Sequence, residues 1–134
     1  MGGPGVKVLL DTHVLLWMVG DPRRLSPRAS DVLGDPSTTP LVSAASGWEL
    51  ATKHRLGKLP EAGHLLAHYA EQMVRRGAEE LPVSTRHALV GGGMSWEHQD
   101  PFDRLLAAQA VIESVPLVTK DPVFDGVPGV RVLW

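Results

Sequence analysis

Short apolar runs alternate along this chain with longer stretches in which apolar residues recur at helical spacing. Val6-Lys7-Val8-Leu9-Leu10 reads as a buried strand, because a short apolar run of this kind suits a strand covered on both faces. Asp11-Thr12 then starts a helix to about Val19, ended by Gly20-Asp21-Pro22. Ser26-Pro27 joins an N-cap to a proline at the first helical position and predicts a helix to about Leu33. Pro40 to Val42 is a second strand, and Ser43 caps a helix that Gly57 stops. Pro60-Glu61 begins a longer helix to Arg76, closed by Gly77. Leu81-Pro82-Val83 predicts a third strand, and Ser84 caps a short helix ending at Gly91-Gly92-Gly93. Asp100-Pro101 starts a helix to about Ser114, Val115 to Thr119 is a strand, and Val130 to Leu133 is a last strand placed at an edge. Strands separated by helices predict an α/β class, a three-layer α/β/α domain with a mainly parallel sheet of four or five strands.

The acidic residues fall at telling places in that pattern. Asp11 follows the first strand, Glu49 lies early in the helix after Ser43, Asp103 sits in the first turn after Asp100-Pro101, and Asp121 follows Leu117-Val118-Thr119-Lys120. In a parallel α/β sheet these positions converge, since ligands bind outside the carboxyl ends of the strands. Each has a structural reading as well. Asp11 can cap a helix, Glu49 can pair with Lys53 four residues on, and Asp121 can shape the turn before Pro122. Asp100 and Asp103 together resemble a capping arrangement, with Asp100 the better candidate for a purely structural cap. Four acids in four strand-to-helix contexts nevertheless point to one site. Clustered carboxylates need a cation or protons to coexist, and an all-oxygen set suits Mg2+ or Mn2+.

The 134 residues fit one domain, 1–134, with a real core, and a composition of 43% hydrophobic and 21% charged residues is ordinary for a globular protein. The absence of cysteine excludes disulfides and thiolate metal sites. No secretory signal, myristoylation pattern or membrane-length apolar run is recognisable, so a cytoplasmic protein is expected. A net charge of −2 is not the strongly basic profile of many nucleic-acid binders, but it leaves RNA open if several acids share one pocket.

Four segments carry a family resemblance. Leu9-Leu10-Asp11-Thr12-His13-Val14-Leu15-Leu16-Trp17, Ser46-Gly47-Trp48-Glu49-Leu50-Ala51-Thr52-Lys53, His98 through Ala110 and Leu117-Val118-Thr119-Lys120-Asp121 occur in order. Together they resemble the motifs of the PIN-domain ribonucleases, and within them the VapC toxins of bacterial type II toxin–antitoxin systems. The resemblance covers nearly the whole chain. It implies a PIN-like fold, Mg2+- or Mn2+-dependent hydrolysis of RNA by a metal-activated water, and Asp11, Glu49, Asp103 and Asp121 as metal-holding and catalytic residues. It selects Asp103 over Asp100, and it makes Thr12, Arg104 and Lys120 candidate substrate contacts. It also implies a homodimer and a cognate antitoxin that blocks the cleft. A carboxylate cluster attracts a guanidinium, so the antitoxin is expected to aim a cation at the acids, and to dock near Trp17 and Trp48 because exposed aromatics anchor interfaces. The rival readings are a housekeeping PIN nuclease, an inactive PIN-like binding module, and an aspartyl-phosphate α/β domain. The last expects adjacent acids or Asp-x-Asp after the first strand, where this chain has Asp11-Thr12-His13. His64 and His68, four apart, lack a third ligand in the sequence. His98 reads as a loop residue, and the four tryptophans read as core or interface residues.

Overall fold

The computed structural model describes residues 5–134, so the first four positions of the expected single domain lie outside the described residues. Five strands form one sheet in the order β3-β2-β1-β4-β5, and every neighbouring pair is parallel. They are β1 (Val6–Leu10), β2 (Thr38–Ser43), β3 (Glu79–Leu81), β4 (Leu117–Val118) and β5 (Val132–Leu133). The seven α-helices of the described residues are α1 (Thr12–Gly20), α2 (Pro27–Gly34), α3 (Ala44–Arg55), α4 (Gly63–Ala67), α5 (Tyr69–Arg75), α6 (Thr85–Gly93) and α7 (Pro101–Ile112).

Strand alternation divides the core between the two faces of the sheet. Val8, Leu10, Val42, Val118 and Leu133 point to one face and pack with Val14, Leu15, Leu50 and Leu65. Leu9, Leu41 and Leu117 point to the other and pack with Leu106, Ala107 and Ala110 of α7 and with Phe124. Period-two side chains on strands covered by helices on both faces give the three-layer architecture. β1 lies in the middle of the sheet, with β2 on one side and β4 on the other. A crevice is therefore set where strand order reverses, at the carboxyl ends of β1 and β4.

Most helix starts follow the expected caps. Ser26, Ser43, Ser84 and Asp100 each accept a hydrogen bond from a backbone N–H of the first turn, and Gly57 and Gly77 take positive φ just past helix ends. Two expectations are corrected. The strand expected at Leu81–Val83 lies at Glu79–Leu81, since Pro82 has no N–H to continue the ladder. The long helix expected from Pro60 to Arg76 is a 3-10 turn at Pro60–Ala62 followed by α4 and α5, which meet at His68. Backbone bonds bridge that bend, His68 N–H to His64 O and Gln72 N–H to His68 O, and Leu65, Tyr69 and Met73 all reach one core. As expected, α6 ends at the glycine triplet, all three glycines lying within its last turn. Gly91 is buried there, and a Cβ on it would lie 3.1 Å from the Arg104 carbonyl oxygen of α7.

That contact separates two neighbouring glycines. Gly91→Ala forces α6 from α7 and lowers unfolding free energy in urea by about 1–3 kcal/mol. Gly92→Ala, where a Cβ meets nothing within 4 Å, gains helix propensity and stabilises by up to about 1 kcal/mol. Equal effects at the two positions would refute the close helix approach.

Candidate active site

The acids gather because short segments leave the sheet in the same direction. Asp11 is fixed at the end of β1 by its N–H bond to the Val118 carbonyl of β4, 3.0 Å. It occupies the N-cap position of α1, yet its side chain makes no capping bond. One carboxylate oxygen accepts instead from Thr119 Oγ1, 2.7 Å, at a residue 7% exposed. Thr119 is itself buried, and its hydroxyl also accepts the Asp121 N–H, 3.0 Å. A single hydroxyl thus ties the first acid to the loop that carries the fourth.

Glu49 lies in the second turn of α3 and is 4% exposed. Its carboxylate accepts from Lys53 Nζ, the pairing expected at that spacing. Asp103, in the first turn of α7, bonds through Oδ2 to His98 Nε2, 2.6 Å. The neighbouring Asp100 caps α7, its Oδ1 accepting from the N–H groups of Phe102 and Asp103 at 2.9 and 3.1 Å.

The charges feel one another. The Asp103 carboxyl is pushed from the ordinary 3.8 to about 6, first by burial and then by Asp100, Asp11 and Glu49, against the His98 hydrogen bond. Asp11 is also raised, first by burial and then by Glu49, against the Thr119 bond and the charge of His13. Lys53 is held in its protonated form: burial works against its charge, but Glu49, Asp100 and Asp103 outweigh it. Asp11, Glu49 and Asp103 therefore share one electrostatic crevice. Asp121 stands at its rim, exposed, capping Val123 N–H at 2.9 Å. It shares with Asp11 a cavity of about 330 Å3 that His13, Trp17 and Lys120 also line.

The donor set is chemically suited to a hard divalent cation, being all carboxylate oxygen with surplus negative charge. Its spacing is looser. Among the described residues no three acidic or histidine side chains stand close enough to hold one ion. Each acid is turned onto a protein partner: Asp11 onto Thr119, Glu49 onto Lys53, Asp103 onto His98 and Asp121 onto a backbone N–H.

The three expected substrate contacts divide. Lys120 is exposed at the mouth of the crevice. Thr12 is buried and donates its hydroxyl to Ser46 Oγ, 2.9 Å, linking α1 to α3. Arg104 requires a correction. Its guanidinium donates to the carbonyls of Gly91, Met94, Trp96 and His98 at 2.6–2.9 Å. Four of its five N–H donors are thereby committed to the backbone, so it clamps the loop before α7 instead of meeting a phosphate. Sequence reasoning missed Thr119, for which the only signal was a polar residue ending an apolar strand. It also left His98 as a plain loop residue, although a histidine five positions before an acid can fold back onto it.

Comparison with known proteins adds an independent view. Residues 8–130 match the model of the PIN domain. Ribonuclease VapC22 of Mycobacterium tuberculosis is 33% identical over 117 residues, covering 85% of this chain and 86% of that protein. Among solved structures, DNA-bound VapBC from Salmonella typhimurium aligns with a TM-score of 0.67 at 19% identity, over 96% of this chain and 97% of that one. VapBC2 from Rickettsia felis, bound to a DNA fragment from its promoter, aligns with a TM-score of 0.62 at 14% identity, over 96% and 98%. At such identities the structures speak for the fold.

The raised Asp103 carboxyl has a direct consequence for stability. Because its folded pKa lies above the unfolded value, the folded protein holds a proton that the unfolded chain releases. In the metal-free protein Asp103 therefore contributes stability that is lost as pH rises from about 4 to about 6, and Asp103→Asn removes that contribution. Urea unfolding of both proteins in EDTA across this range checks it, and parallel curves would show that the crevice does not crowd its charges.

Proposed function

This chain belongs to the PIN domain family, and from that premise we propose that it is a ribonuclease serving as the toxin of a VapBC-type toxin–antitoxin pair in the cytoplasm. The observation that carries the reading is the crevice itself. Burial and neighbouring carboxylates raise the proton affinity of Asp11 and Asp103, Glu49 acting on both and Asp11 also on Asp103, at the carboxyl end of a parallel sheet, where a ligand is expected. The identity to a protein named as a ribonuclease, over most of both chains, supports RNA as the substrate.

Asp11, Glu49 and Asp103, joined by Asp121 from the rim, are the residues that would hold Mg2+ or Mn2+. Such an ion supplies charge neutralisation at the phosphate and lowers the pKa of a water. The protein's own contribution is orientation. Thr119 fixes which oxygen of Asp11 faces the crevice, and His98 does the same for Asp103. Lys53 pairs with one oxygen of Glu49, leaving the other to serve as a ligand. Lys120 offers a cation to the phosphate at the mouth. The buried hydroxyls near the acids are engaged with protein groups, Thr12 with Ser46 and Thr119 with Asp11. The nucleophile of this reading is water, with no covalent enzyme intermediate.

The same reading includes an antitoxin and a second copy of this chain as partners. Trp48 is 69% exposed beside Glu49 and meets Phe102 edge-on, with ring centroids 5.8 Å apart. An exposed tryptophan backed by a half-buried phenylalanine next to an acidic crevice suits a partner that docks an apolar segment and directs an arginine at the carboxylates. Light scattering on the isolated protein tests the dimer.

Labelled RNA incubated with the protein is cleaved in Mg2+ or Mn2+ and spared in EDTA. Asp11→Asn and Asp103→Asn lower the rate by about 100-fold or more, whereas Asp100→Asn, which keeps the cap, changes it by less than about threefold. Equal losses at positions 100 and 103 would contradict the assignment of roles. Induced expression alone arrests growth, and co-expression of the cognate antitoxin restores it. Harmless expression of an active, metal-loaded enzyme would favour a housekeeping nuclease.

A further inference from the structure

The cavity shared by Asp11 and Asp121 does not end at the crevice. His13 and Trp17, which line it, also line a second cavity of about 700 Å3 that continues along the exposed side of α1 to Gly20, Arg23 and Arg24. His13 and Trp17 are one helical turn apart, with ring centroids 6.0 Å apart. Trp17 is anchored from behind by Trp134, ring centroids again 6.0 Å apart. The Arg24 guanidinium lies over the Trp17 ring, 4.7 Å from its centroid. A planar cation stacked on an indole keeps its edge donors free while its plane is held.

The charges in this groove sort by partner. Asp21 is engaged by Arg23 at 3.4 Å. Among the described residues neither Arg24 nor Lys120 makes an ion pair, and Glu61 is the one further carboxylate in the second cavity. Leaving the crevice, the lining runs from Asp11, Asp121 and Lys120 through the His13 and Trp17 rings to Arg23 and Arg24, with Asp21 and Glu61 as the carboxylates of the second cavity. That order suits a polyanion whose reacting bond lies at the acids and whose neighbouring phosphates need compensation. The groove is also poor in exposed aliphatic side chains of the kind that would seat a peptide anchor. Leu16 is buried.

We propose that this groove is the track for the single-stranded RNA flanking the scissile bond, with Lys120 and the Trp17-held Arg24 as successive phosphate contacts and the exposed His13 ring as a surface for a base. The inference rests on the ribonuclease reading given above. Trp17 is a positioning residue here, acting through Arg24.

Two variants test the track differently. Arg24→Ala removes the cation. Gly20→Phe fills the groove without removing charge, at a position where a Cβ meets nothing within 4 Å. Arg28, an exposed arginine of α2 outside the groove, supplies the control as Arg28→Ala. Unstructured oligoribonucleotides of about 4 to about 16 nucleotides serve as substrates. With the longest, both groove variants raise KM by about tenfold with a much smaller change in kcat. The penalty shrinks as the substrate is shortened, and Arg28→Ala behaves as the wild type. In an Asp11→Asn background in EDTA, adding Arg24→Ala reduces the slope of log affinity against log salt by about 0.7. Wild-type KM values in both groove variants at every length, with cleavage intact, would overturn the track and leave the nuclease assignment standing. Variants that keep RNA affinity but lose the cognate antitoxin would overturn it in favour of a protein-binding groove. Failure of the wild type to cleave any RNA with Mg2+ or Mn2+ would sink the nuclease reading itself.

Discussion

Like charges brought together out of water must be neutralised, and much of this molecule's arrangement around the crevice answers that constraint. Three carboxylates converge because a parallel sheet delivers its loops to one end, and strand order reverses between β1 and β4. Their mutual repulsion is met by a lysine one turn along α3, a histidine folded back from the loop before α7, and a buried threonine hydroxyl. Each compensation is local to the acid it serves. The acids are thereby held apart onto separate partners, so the crevice is charged and suited to a cation rather than collapsed around one.

The scaffold that makes this possible is stiff where it matters. Leu9, Leu10, Leu117 and Val118 are fully or almost fully buried in the two central strands, and the residues that follow them, Asp11 and Thr119, inherit that rigidity. Glu49 and Asp103 sit in the early turns of α3 and α7, whose starts are fixed by Ser43 and Asp100. Asp121 differs. It stands on a 3-10 turn at the surface, with few constraints beyond its own cap and the Thr119 hydroxyl, and it is the acid with most freedom to adjust.

Much of the fold was legible because its signals are local and chemical. Serine or aspartate before a helix, proline at its first position and glycine after its end are read off the chain without knowledge of the neighbours. The third strand was misplaced by two residues because a short edge strand, paired through its backbone alone, leaves no side-chain pattern, and Pro82 marks its end rather than its middle. The glycine triplet marked the end of α6, but that Gly91 alone of the three is fixed by packing against α7 depends on a neighbour distant in the chain. In the site, the placing of Glu49 and Asp103 followed from helix position, and the Glu49–Lys53 pair from spacing. The bond from Thr119 to Asp11 spans 108 positions, and the grip of Arg104 on its loop is made through backbone carbonyls. Neither contact is written in residue types near to one another, so neither could be seen.

The Arg104 clamp has a consequence for how such a molecule diversifies. It grips carbonyl oxygens, which every amino acid supplies, and it holds Met94, Trp96 and His98 without regard to the side chains between them. Ser95, Glu97 and Gln99 are exposed on that loop. Their side chains can change in size, charge or hydrogen-bonding character while the loop keeps its path and His98 keeps its place beside Asp103. Descendants of one ancestral gene can thus acquire different preferences at the rim of the crevice by surface substitution alone, with the hydrolytic centre inherited unchanged.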